Sequence, residues 1–290
     1  MEYVFMTDSN SDMPFYFRDQ YDIPLVYMPY YMGDTEYFSD LGRGDVYKGF
    51  FQQMRGGEVP STSLLSPSRY LEILEPVVKE SDVLFVAFSS QLSTTIENLT
   101  MARDELLEKY PGRKFMIVDT MSISGAEYLL IRQAHALYRQ GKPMEEVAKW
   151  VEENRMRAHA WLTVDDLIYL KRGGRISGAS AFFGSMLSLK PILVIGKNGR
   201  ICPAEKVQGK KKALRVIVEK VAQNIENPAE QSIVVMHADI IEEAEFLKEM
   251  ILQKIPDIGG VEIVHIGPVI GTHCGPGTVA ACFMGKEREI

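Results

Sequence analysis

Short apolar runs alternate with amphipathic segments along the first half of the chain, and three of those runs end in hydroxyl-rich loops. With the hairpin-like stretch that follows, this alternation predicts an α/β protein of two domains: residues 1–158 around a mainly parallel sheet, and residues 159–290 as a mixed α+β domain. A length of 290 residues suits two domains of about 100 to 200 residues each.

The strand-like runs of the first half are YVFM, IPLVYMPYYM, VLFVAF and KFMIVD. An uninterrupted apolar run such as VLFVAF reads as a strand buried on both faces, as parallel strands are. YVFM, VLFVAF and KFMIVD lead into TDSNSD, SSQLSTT and TMSISG, so all three loops are expected on the carboxyl edge of the sheet, where ligands collect in α/β folds. TSLLSPSRY predicts a helix capped by Ser66 with Pro67 in its first position. EYLLIRQAHALYRQG and MEEVAKWVEENRM read as a helical pair, with His135 packing on one face.

The pattern changes near His159. LKPILVIGKNGRICPAEKVQG predicts a hairpin turning at Lys197, Asn198 and Gly199. SIVVMHA, VEIVHIG and VAACFMG read as strands, and EEAEFLKEMILQKI as a helix. GPVIGTHCGPGT, with four glycines and two prolines around His273, reads as a loop whose backbone needs positive φ or close approach.

Composition narrows the function. With 46% hydrophobic and 24% charged residues and no low-complexity tract, the chain reads as an ordinary soluble globular protein. A formal net charge of -7 argues against nucleic acid as a partner. Cys202, Cys274 and Cys282 show no CxxC spacing, which speaks against a disulfide framework or a cysteine metal site and suits a reducing cytoplasm. The N-terminus lacks the marks of a signal peptide, and no run approaches the roughly 20 apolar residues of a membrane span, so a cytoplasmic protein is expected, with room for transient membrane contact.

Three segments carry chemistry. Ser89, Ser90, Ser93, Thr94 and Thr95 crowd a strand-to-helix junction, where free backbone N–H groups and hydroxyls are suited to an anion. YLKRGGRISGA ends a helix at Gly173 and Gly174 and presents Lys171, Arg172 and Arg175 at that turn. His273 stands in the glycine-rich segment, a better functional candidate than His135. Asp8 and Asp12 of TDSNSD suit an Asx-turn better than a metal.

Taken in order, TDSNSD, TSLLSPS, SSQLSTT, VDTMSISG, YLKRGGRIS, LSLKPIL and VIGTHCGPG closely resemble the DegV family from end to end. The resemblance implies a two-domain protein that holds one long-chain fatty acid in a tunnel between domains, as the binding subunit of a bacterial fatty acid kinase. ATP and Mg would then belong to the separate kinase subunit, and no cofactor, metal or catalytic residue to this chain. Carried over by motif, Thr62 and Ser93 would bind the carboxylate, with the Thr94 amide and His273 close by. Arg172 and Arg175 would lie near the mouth, facing the kinase or the acyl phosphate. The chain departs from the family at Thr94, where glycine is usual, and at Leu64 and Leu65, which replace a polar residue and a proline.

A fatty acid needs a few fixed donors and an apolar cavity. Phe182, Phe183, Met186 and Leu187 are the expected tail-lining residues. No GxxxxGK[ST] phosphate loop or kinase signature occurs, so no phosphorylation is expected from this chain alone. Two alternatives are a hydrolase or acyltransferase using Ser93 with His273, which lacks a GxSxG elbow, and a lipid-binding regulatory or transport module without a kinase.

Overall fold

The computed structural model describes residues 3–176 and 189–290. In chain order its elements are β1 (Tyr3–Asp8), α1 (Phe15–Tyr21), β2 (Leu25–Val26), β3 (Pro29–Met32), β4 (Thr35–Phe38), α2 (Val46–Arg55), β5 (Ser61–Thr62), α3 (Pro67–Glu80), β6 (Asp82–Ala87), α4 (Thr95–Lys109), β7 (Phe115–Asp119), α5 (Ser124–Arg139) and α6 (Met144–Asn154). There follow β8 (Ala158–Thr163), α7 (Ile168–Gly173), β9 (Leu189–Ile195), β10 (Ile201–Gln208), α8 (Lys210–Asn224), β11 (Ser232–His237), α9 (Ile241–Lys254), β12 (Gly260–His265), α10 (Pro268–Cys274) and β13 (Val279–Met284).

The first sheet is parallel, in the order β2-β1-β6-β7. The second is mixed, in the order β10-β9-β8-β13-β11-β12, with only β11 and β12 parallel. The fold is therefore α/β with a parallel and a mixed sheet, and the predicted hairpin is the β9–β10 pair, turning at Gly199 with φ +70°. A third, antiparallel sheet, β4-β3-β5, corrects the reading of residues 23–32 as one strand. That run breaks into β2, which joins β1, and β3, which turns back against β4.

Side-chain alternation explains the layers. Along β6, Leu84 and Val86 face one core while Val83, Phe85 and Ala87 face another, as a strand buried on both sides requires. The outer face packs on Tyr70, Leu74 and Val78 of α3 and Leu99, Ala102 and Leu106 of α4, each at helical spacing. Ser66 accepts the Arg69 amide at 3.2 Å and Pro67 opens α3, as the cap pattern predicts. The inner face meets α5 and α6, and the far side of α5 meets Ala158, Ala160 and Leu162 of β8. Beyond the second sheet, α8 and α9 close the outside. α5 is thus wedged between two sheets, buried from Ser124 through Ile131, with His135 packed among Phe5, Phe17 and Tyr21.

One core group is out of keeping with its surroundings. Thr163 at the end of β8 is fully buried and its hydroxyl has no hydrogen-bond partner. Valine has the same shape without the stranded donor, so Thr163→Val is expected to stabilise the protein by about 1 kcal/mol in urea unfolding. A loss of stability would show that the hydroxyl is satisfied.

Candidate functional site

The carboxyl ends of β1, β6 and β7 all open on one edge, and the loops that leave them meet the end of the chain there. Between them is a cavity of about 100 Å³, lined from the edge loops by Asn10, Phe88, Leu92, Ser93, Thr95 and Ile123, and on the opposite side by Arg175, Ile270, His273 and Cys274. Thr62 joins them from β5, whose two residues pair with Tyr30 and Tyr31 of β3. Asp8 accepts the Asn10 amide at 2.9 Å, the Asx-turn expected of TDSNSD.

The polar end of the cavity is built from neutral groups and one cation. Thr62 Oγ1 and His273 Nε2 are hydrogen-bonded at 2.9 Å, and Nδ1 of the ring is buried without a partner. Burial, reinforced by Arg175, pushes the His273 pKa down to about 4, so the imidazole is neutral at physiological pH. Ser93 Oγ bonds Thr95 Oγ1 at 2.7 Å and accepts the Thr95 amide at 3.2 Å. Arg175 is held in the wall by the Leu92 carbonyl at 3.2 Å and by that of Gly173. Among the described residues no carboxylate lines this cavity, so its field favours an anion.

Local sequence explains how His273 arrives. Residues 268–274 form the short helix α10 rather than the predicted loop: Pro268 fits its first turn, and the bend comes afterwards, at Gly275 (φ +78°) and Gly277 (φ +81°). Gly173, at the end of α7, leaves the imidazole room, because a Cβ there would run into Nδ1.

The structure brings Thr62, Ser93, His273 and Arg175 into one cavity, and the lining includes neither Thr94 nor Arg172. Thr94, whose amide is the expected contact, has an exposed side chain that caps nothing, and Thr95, the first residue of α4, lies in the wall. Arg172 lines an adjoining outer cleft of about 310 Å³ with Val59, Pro60 and Tyr169, and this cleft shares Thr62, Arg175 and His273 with the cavity. Of the other departures from the family pattern, Leu64 lines the cavity and Leu65 is buried in the outer core. Phe182, Phe183, Met186 and Leu187 lie outside the described residues. Ser93 and His273, the pair a serine hydrolase would need, each bond another hydroxyl instead.

Beyond the polar end, a second chamber of about 50 Å³ extends over the mixed sheet. It shares Ile123, Ile201, Ile270 and Cys274 with the first and is floored by Ala160 and Leu162 of β8, Met236 of β11, and Ala280 and Cys282 of β13. Two hydroxyls in its wall are already engaged: Ser124 with Asp12 at 2.5 Å, and Thr278 with the Cys274 and Gly275 carbonyls at 2.9 Å. Small residues on adjacent strands make the hollow, and no periodicity in the sequence marks it. The arrangement sets a polar mouth beside a hydrocarbon chamber.

A family model described as an uncharacterised protein of the DegV family matches residues 3–286. The chain belongs to the DegV family. A DegV domain-containing protein of Clostridium perfringens is 39% identical over 289 residues, covering 99% of each chain. Another relative, called a fatty acid-binding protein, from Thermotoga maritima, is 32% identical over 300 residues and covers 100% of each. Among solved structures, a fatty-acid-binding DegV-family protein from Thermus thermophilus superposes with a TM-score of 0.85 at 28% identity, over 98% of this chain and 100% of that one. The DegV match thus runs through all three sheets and through every described residue of the polar mouth.

Proposed function

We propose that this chain binds a long-chain fatty acid, with the carboxylate at Thr62, Ser93, His273 and Arg175 and the tail running over the mixed sheet, and that it presents the carboxylate to a separate kinase subunit for conversion to an acyl phosphate. The observation that carries the reading is that the two chambers adjoin, with Ile123, Ile201, Ile270 and Cys274 in the walls of both, which sets an anion-suited end against an apolar one. The fatty-acid binding attributed to the Thermotoga and Thermus proteins supports it.

Each buried methylene contributes roughly 0.8 kcal/mol, so the tail supplies most of the gross affinity and the hydroxyls set orientation. Neither chamber reaches the roughly 300–1,000 Å³ of a preformed small-molecule site. A long tail therefore displaces side chains on its way in, and flexible Met28 and Met236 line the two chambers.

The partner would supply ATP and Mg, and Arg172 in the outer cleft would meet it or the phosphoryl group in transfer. The cytoplasm is where both would be found; among the described residues no helix is long and apolar enough to cross a membrane.

Native mass spectrometry of protein purified from a bacterial host should reveal a copurified long acyl acid. With ATP and fatty acid alone, the protein should form no acyl phosphate until the kinase subunit is added. Arg172→Ala should leave fatty-acid affinity within about twofold, as expected of a side chain outside the cavity, while lowering kinase-dependent turnover about tenfold. Acyl phosphate formed without the kinase, or equal loss of affinity and turnover, would overturn this division of labour.

A further inference from the structure

Asp12 ties together three segments far apart in the chain. It is 5% exposed; Oδ1 accepts the Gly267 amide at 2.9 Å, and Oδ2 accepts the Ser124 hydroxyl at 2.5 Å. Ser124 opens α5, the helix between the sheets, and Gly267 immediately precedes α10. His273 is six residues further on, about 9 Å along the helix axis at 1.5 Å per residue.

Gly267 shows how closely the contact is fitted. Its φ is an ordinary -75°, so backbone freedom does not require glycine there. A Cβ would instead come within 2.7 Å of Asp12 Oδ1 and 3.1 Å of the Tyr47 hydroxyl. Further along the same helix, a Cβ on Gly271 would come within 2.7 Å of the Phe51 ring. α10 is thus pressed against α2 along its length, and a buried carboxylate fixes the start of the helix.

We infer that Asp12 is a positioning residue, which seats the start of α10 against α5 and thereby sets where His273 meets Thr62 and the carboxylate of the ligand. The inference rests on the fatty-acid reading above. Asp12 does not line the cavity, so its effect on the ligand passes through the residues it holds, Gly267 before α10 and Ser124 in the wall of the apolar chamber.

The test compares binding of hexadecanoic acid with that of hexadecan-1-ol, which keeps the tail and lacks the carboxylate. Asp12→Ala removes both hydrogen bonds, and Gly267→Ala forces Asp12 and α10 apart while leaving the carboxylate in the chain. Both are expected to weaken the acid about tenfold and leave the alcohol within about twofold, the size of one lost charge-assisted hydrogen bond. Asp12→Asn keeps an acceptor for Gly267 and gains a donor for the Ser124 oxygen, so it should restore acid binding to within about threefold of the wild type.

Melting temperatures identify any variant that fails to fold; if Asp12→Ala is one, Gly267→Ala and Asp12→Asn still carry the comparison. Equal weakening of acid and alcohol, or an Asp12→Asn defect as large as that of Gly267→Ala, overturns the positioning role while the fatty-acid reading stands. A wild-type protein that prefers the alcohol overturns the carboxylate reading itself.

Discussion

On the proposed fatty-acid reading, Ala280→Leu should shift the preference from long acids to shorter ones. Ala280 floors the apolar chamber beside Leu162 and Met236, its register partners on the two neighbouring strands. The added carbons occupy a hollow of only about 50 Å³, so the last part of a long tail has nowhere to go. Excluding four methylenes removes roughly 3 kcal/mol of hydrophobic stabilisation, about a hundredfold in affinity. An acid shorter by four carbons should keep its affinity, because the polar mouth is untouched. Overpacking is expected to cost about 1–3 kcal/mol of stability. Titration with a series of acids of increasing length, alongside the melting temperature, checks this. Uniform weakening across the series would mean that the tail runs elsewhere.

Gly173→Ala should weaken acid binding through the other end of the site. A methyl group at this position collides with His273 Nδ1, and a ring that moves away from it strains its 2.9 Å contact with Thr62. On the proposed carboxylate site, displacing the ring would remove one hydrogen-bonding partner and tilt another, an expected loss of roughly 2–3 kcal/mol, or about thirty- to 150-fold. Gly174, the next residue, has φ +67° and open space around its Cβ position, so Gly174→Asn is a suitable control: it tolerates the left-handed backbone and should leave affinity nearly unchanged. Equal effects at the two glycines would show that the α7 cap, and not the imidazole, is what matters.

The parts of this molecule legible in the sequence are those with local chemistry. The Ser66–Pro67 start of α3 and the turn at Lys197–Gly199 each follow from residues next to one another. The shared edge of the three hydroxyl-rich loops follows from the parallel pairing of β1, β6 and β7. What sequence reasoning missed depends on partners distant in the chain. β5 has two residues, too few to show a period of two, yet its pairing with Tyr30 delivers Thr62 to the site. α10 hides behind glycines that usually signal a loop, because packing against Phe50 and Phe51 favours glycine at position 271 over a larger residue. Thr95 rather than Thr94 faces inward because the phase of α4 is set by Leu99, Ala102 and Leu106 packing on the first sheet. Arg175 belongs to the cavity wall and Arg172 to the cleft outside it, a separation that comes from the end of α7 and that the spacing of the two arginines does not reveal.

The burial of α5 on both flanks rules on how a guest gets in. Leu129, Leu130 and Ile131 have no exposed surface to speak of, and parting the sheets like a clamshell would wet them at about 1.5–3 kcal/mol apiece, before the rest of the helix is counted. A hinge of that kind is too costly to open on every cycle of loading and release. On the fatty-acid reading proposed above, the tail would then enter from the rim, as into a sleeve threaded from one end.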